Sequence, residues 1–108
     1  MAAVTYSIAV GDESWSGSVS YTERTRQEIA IATASTDTAV NFGGVTTADV
    51  VVIYSDQAIT VNYQLNTGTD ITIDANRPHV LMGTAMTALF VSNASGSTAN
   101  IVIDLYGA

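Results

Sequence analysis

Asp49-Val-Val-Val-Ile-Tyr-Ser-Asp-Gln-Ala-Ile-Thr-Val-Asn-Tyr-Gln-Leu65 decides how the chain folds. It opens with an uninterrupted apolar run, Val50 to Tyr54. Such a run suits a strand buried on both faces, or one crossing from core to rim. Ser55, Asp56 and Gln57 interrupt it with turn-prone polar side chains. Strict alternation follows: Ile59, Val61, Tyr63 and Leu65 point one way, Thr60, Asn62 and Gln64 the other. The two halves read as a hairpin or as a corner between two sheets, with the second strand half buried.

Working outward, the same alternation recurs. Val4, Tyr6, Ile8 and Val10 alternate with Thr5, Ser7 and Ala9, and Gly11-Asp12 then marks a tight turn. Beyond it Trp15, Gly17, Val19 and Tyr21 share one face, and Ser14, Ser16, Ser18 and Ser20 the other. The two runs pair as a hairpin in this reading. A competing reading makes the segment from Met1 to about Val10 an arm that adds to a neighbouring chain, because a free strand edge needs a partner. Residues 22–28 read as a loop or strand edge. A third strand follows at Ile29 and Ile31, Ser35 to Thr38 is a turn, and Val40 with Phe42 forms a short strand stopped by Gly43-Gly44. On the C-terminal side, Asn66 to Thr69 is a turn and Ile71 with Ile73 a short strand. His79 to Met82 begins another, ended by Gly83. Leu89, Val91 and Met86 belong to the next strand, and Asn93 to Ser97 is a turn. In the last strand Ile101, Ile103 and Leu105 alternate with Asn100, Val102, Asp104 and Tyr106.

Turn signals every eight to twelve residues and about eight or nine short antiparallel strands predict an all-β fold: a single β-sandwich or a jelly-roll-like small barrel. At 108 residues the chain holds one domain and one core. Within it, residues 1–44 form polar N-terminal strands with the possible arm, and residues 45–108 an apolar β core.

Composition narrows the function. Ten acidic residues face three arginines and no lysine, a formal charge of -7. Such a chain repels nucleic acid and anionic membrane surfaces, so neither is an expected partner. No stretch has the length of a membrane span or the form of a secretory signal, and use without export is the expectation. Only 12% of residues are charged, which leaves the surface to Ser, Thr, Asn, Gln and Gly. A surface poor in long charged side chains suits packing among other copies, where ordering such chains costs rotamer entropy. Compositional bias of the source accounts for it equally well.

The search for chemistry leaves little. Without cysteine there is no thiolate nucleophile, and a lone His79 cannot build a usual zinc site. It reads as a surface or rim residue. No nucleophile elbow or phosphate loop is present. Asp70, Thr72 and Asp74, followed by Asn76, put oxygen atoms on one strand face but match no EF-hand spacing, and a solvated face is the simpler reading. A glycosidase pair would need a cleft that a sandwich of this size lacks. Asn93-Ala94-Ser95 has the form of a glycosylation site but sits in a turn. No catalytic residue, cofactor site or metal site is therefore expected. Of the aromatics, Trp15 is a candidate for a sugar platform; core or subunit contact is the plainer use for all of them. Val4, Tyr6, Ile8 and Trp15 are the candidate partner or oligomer interface.

Residues 46–61, Thr-Thr-Ala-Asp-Val-Val-Val-Ile-Tyr-Ser-Asp-Gln-Ala-Ile-Thr-Val, resemble a hairpin pattern of small virion proteins of tailed bacteriophages. Residues 89–101, Leu-Phe-Val-Ser-Asn-Ala-Ser-Gly-Ser-Thr-Ala-Asn-Ile, resemble the same group's turn before a final strand. The likeness spans Val45 to Gly107; the first 44 residues carry none. It implies a non-enzymatic virion protein of the capsid cement (decoration) type, β-rich and homo-oligomeric as a dimer or trimer. The implied partner is the major capsid protein or another virion protein, and the implied location is the virion. A tail, neck or fibre component and a carbohydrate-binding or adhesin module are the alternatives.

Overall fold

Alternating apolar and polar residues become strands because each face of a pleated chain then meets one environment. A computed structural model describes residues 2–63 and 70–107, and ten strands lie within them. They are β1 (Ala2–Val10), β2 (Glu13–Tyr21), β3 (Glu23–Ile31), β4 (Ser35–Ala39), β5 (Ala48–Ser55), β6 (Ile59–Asn62), β7 (Ile71–Ile73), β8 (His79–Met86), β9 (Phe90–Asn93) and β10 (Ala99–Gly107). No helix occurs among the described residues.

Eight strands make a sandwich. One four-stranded sheet has the order β3-β10-β5-β8 and the other β4-β9-β6-β7, with antiparallel neighbours throughout. Apart from β6 to β7, every connection from β3 onward leads from one sheet to the other. Two interlocked Greek keys with this alternation constitute the jelly-roll topology. The sheets do not close into a barrel: β3, β8, β4 and β7 remain as edges.

The run Val50 to Tyr54 lies in β5, and the alternating residues after it begin β6 in the opposite sheet. The interruption at Ser55–Gln57 is thus a corner rather than a hairpin. Ser55 is buried; its Oγ donates to Gln57 O at 2.7 Å and accepts from Gln57 N at 3.2 Å. Asn76 N donates to Ser55 O at 2.7 Å, tying the corner to the β7–β8 loop. Val51 and Ile53 enter the core, whereas Tyr54 is exposed, so β5 runs from burial on both faces at Val50 to a wet outward face at Tyr54. Val50 is only 1% exposed yet stands outside the interior cluster, opposite Tyr106 and Met82.

Ile59, Val61, Ile101, Ile103 and Leu105 line the interior with Ile73, Leu89 and Val91. Tyr63 departs from that expectation. β6 stops at Asn62, and Tyr63, one residue beyond the ladder, is exposed. Leu65 and the expected turn at residues 66–69 lie outside the described residues.

Several boundaries differ from the sequence reading. Ser35 to Thr38, expected as a turn, lie in the edge strand β4 (Ser35–Ala39), and Val40 and Phe42 follow it in a loop. An edge strand with both faces wet gains its order from ladder hydrogen bonds, which leave no apolar pattern. Residues 23–28, read as a loop or strand edge, are the first part of β3, at the edge of its sheet. Gly83 does not end its strand. Ala48 pairs with Met86 and Val50 with Met82, so β8 bulges there, with positive φ at Gly83 (71°) and Ala85 (47°). The bulge carries the strand on until Met86 reaches the core. Met86 therefore belongs to β8, and Leu89 precedes β9.

Candidate functional site

Among the described residues, β1 and β2 belong to neither sheet of the sandwich and pair with each other as strands. The N-terminal segment is thus one half of a hairpin, paired with β2 from Ala2 to Val10. Its loop is the two residues Gly11-Asp12, with φ +59° at Gly11. Positive φ at the first central position is the type II′ requirement, which suits the twist of the flanking strands and which glycine meets without strain.

The register puts the four candidate interface residues on one face. Val4 pairs with Val19, Tyr6 with Gly17 and Ile8 with Trp15. Val4, Tyr6, Ile8 and Val19 are half-buried, while nearer the tip Trp15 is 52% and Val10 63% exposed. The opposite face carries Thr5, Ser7, Ala9, Ser14, Ser16, Ser18 and Ser20, all exposed. A lone two-stranded hairpin is marginal in water, because one apolar face without a covering layer recovers little hydrophobic free energy.

The hairpin joins the sandwich at its base. Thr22 N donates to Gly107 O at 2.9 Å. The rings of Tyr21 and Tyr106 meet edge to face, with centroids 4.9 Å apart and planes at 66°. Arg24 lies 5.2 Å from the Tyr106 centroid and 3.3 Å from Asp104 Oδ1. The Asp104 hydrogen bond, helped by Tyr106, raises the Arg24 pKa above its ordinary value. Arg26 reaches Glu28 at 3.4 Å and Asp104 at 3.5 Å. Both arginines are about half exposed, though Asp104 is mostly covered, so these pairs orient side chains more than they stabilise the fold.

Tyr106 also begins an apolar strip on the outward face of the β3-β10-β5-β8 sheet. Register aligns Tyr106, Val50 and Met82 in one row, Asp104, Val52 and Val80 in the next, and Val102 with Tyr54 in the third. Tyr54, Val80 and Met82 are each 40% exposed or more. Periodicity alone could not locate this strip, because Val80 and Met82 on β8 carry the same apolar signal as core residues. At its far end, a shallow cavity of about 480 Å³ lies between Glu28, Ala30, Tyr54, Asp56, Asn100 and Val102. Asn100 closes one wall: its N donates to Asp56 Oδ1 at 2.8 Å and its Nδ2 to Oδ2 at 2.9 Å. Those two bonds to the ionised form hold the Asp56 carboxyl below the ordinary carboxylate range.

The remaining sequence candidates take structural places. His79 begins β8, with Nδ1 3.2 Å from Arg77 O. Asp70, Thr72 and Asp74 are exposed; Asp70 Oδ1 accepts from Asn62 Nδ2 at 3.2 Å, and Asp74 pairs with Arg77 at 3.6 Å. Among the described residues, no three acidic or histidine side chains converge as metal ligands. Asn93 is fully buried. Its Nδ2 donates to Ile31 O and Ser97 O, each at 2.9 Å, and its Oδ1 accepts from Ser95 N at 3.0 Å. It braces the corner from β9 to β10.

Compared with protein-family models, with characterised proteins and with solved structures, the chain matches none.

Proposed function

We propose that this chain is a non-enzymatic structural protein of tailed-phage virions, of the capsid decoration type. It would bind the outer shell through the major capsid protein and stabilise it by added contact area. One observation carries the reading: a hairpin outside both sheets holds Val10 and Trp15 exposed on an apolar face, beside a sandwich whose own core is complete. Exposed apolar surface of this kind marks interaction sites. The jelly-roll topology adds support by analogy, since viral capsid domains use it. Lysine-free serine and alanine faces suit close packing against a neighbour.

The test is co-sedimentation of the full chain with expanded phage shells stripped of accessory proteins. Saturable binding at a fixed ratio to capsid subunits is expected, weakened by Trp15→Ser. No binding at micromolar concentration by folded protein would overturn the reading. Binding to tails in place of shells would move it to a tail, neck or fibre component.

Trp15 favours a second reading. An exposed indole on a flat strand face can stack on a sugar ring, and lectin domains share this topology. Glycan binding that disappears in Trp15→Ala would establish an adhesin or carbohydrate-binding module instead.

A further inference from the structure

We infer that two copies of this chain form a two-fold dimer in which each hairpin lies on the outward β3-β10-β5-β8 face of its partner. The inference rests on the reading of the hairpin as an inter-chain contact, and not on the virion role.

Among the described residues, six large apolar side chains stand out as exposed: Val10, Trp15, Tyr54, Tyr63, Val80 and Met82. All but Tyr63 fall on two surfaces, the hairpin near its tip and the outward sheet face. Those surfaces meet where Tyr21 at the hairpin base touches Tyr106 on the sheet. A surface made of two apolar arms joined at a hinge is self-complementary under a two-fold axis through that hinge: the hairpin of each copy covers the sheet of the other.

Area decides between this and a one-way contact. Two strands of nine residues cover about 30 Å by about 10 Å, on the order of 300 Å² on one face. Laid once on a foreign protein, the hairpin face would bury about 600 Å² in all, within the range of crystal-packing contacts. Exchanged reciprocally, each copy contributes one hairpin face and one sheet face, and the total doubles to about 1,200 Å², where specific interfaces begin.

Charge permits the pairing. The chain carries -7 overall, yet residues 2–11 of the hairpin contain no Asp, Glu, Lys, Arg or His. On the sheet face Arg24 and Arg26 are balanced by Asp104 and Glu28. The remaining acidic residues lie off the two surfaces or, like Asp12, Glu13 and Asp56, at their ends. Trp15 supplies a large anchor, and the shallow cavity beside Tyr54 and Val102 is a receptor of matching character.

Sedimentation of the full chain over a range of concentrations tests this. A two-chain mass is expected for the native sequence. Ile8→Asp on the hairpin and Val80→Asp on the sheet face should each raise the dimer dissociation constant at least about tenfold, roughly 1.4 kcal/mol. Melting curves check that both variants remain folded; if Ile8→Asp does not, Trp15→Ser on the exposed tip takes its place. Mixing the two variants in equal amounts should restore association in part, because one hairpin–sheet contact of a mixed pair is intact. A monomer at all concentrations, a trimer, or a Val80→Asp variant with unchanged mass would overturn the dimer. A dimer that ignores phage shells would remove the virion reading alone, and a monomer that binds shells would remove the dimer alone.

Discussion

The ring of Tyr6 lies across Gly17 on the paired strand, so close that a Cβ at Gly17 would fall 2.7 Å from the Tyr6 hydroxyl. Glycine in a strand is unfavourable by itself, and an aromatic ring laid over it from the next strand compensates. Gly107 is crowded differently: a Cβ there would collide with the backbone carbonyl of Thr47. A ring on a flexible side chain can swing aside and a carbonyl in a folded loop cannot. Gly17→Ala should therefore cost about 1 kcal/mol or less, and Gly107→Ala about 1–3 kcal/mol. Chemical denaturation of both variants measures the difference; equal costs would contradict the assignment.

Ile103 sits at the centre of β10, fully buried, whereas Thr60 is half-buried on the other face of β6. Ile103→Ala removes buried methyl groups and leaves a cavity, at a cost of about 2–5 kcal/mol. Thr60→Ala should stay within about 0.5 kcal/mol. Comparable shifts in denaturation midpoint would show that the two faces have been exchanged.

Asp56 gives stability a pH dependence of known sign. Its folded pKa lies below the ordinary value because Asn100 hydrogen-bonds the ionised form. A depressed carboxyl pKa contributes stability that is present above the unfolded value and is lost as pH falls through the folded one. Asp56→Asn should thus be less stable than the native chain at neutral pH. The gap should close as pH drops below the ordinary carboxylate range, about 4, and through the depressed folded pKa. A gap that persists in acid would mean that shape, and not charge, makes the corner.

The Asp70–Asp74 face is exposed, and its two carboxylates already have protein partners, Asn62 and Arg77. Thermal unfolding with and without a chelator should coincide. A loss of many degrees on adding chelator would reveal bound calcium, since a ligand that prefers the folded state raises its stability by mass action.

Where a strand has one wet and one dry face, its place was legible. Ile101, Ile103 and Leu105 enter the core as their alternation requires, and Ser55–Gln57 interrupts the chain where it changes sheets. The grouping of Val4, Tyr6, Ile8 and Trp15 on one face was legible for the same reason. Signals that depend on distant partners were not. β4 has no apolar face and takes its order from β9; Gly83 resembles a terminator and makes a bulge. The outward strip of Val80 and Met82 was invisible because exposure depends on which sheet face has a neighbour.

The burial of Asn93 has a consequence for producing the protein. Enzymes that attach sugars to Asn-x-Ser act on chains that have not yet folded, and Asn93-Ala94-Ser95 is such a sequence. A glycan on Nδ2 would take one of the two hydrogens that now go to Ile31 O and Ser97 O, and would need room where the side chain has none. Secretion from yeast or animal cells would then yield a modified chain whose final strand cannot dock. Synthesis in a bacterial cytoplasm leaves the amide free and the sandwich able to shut.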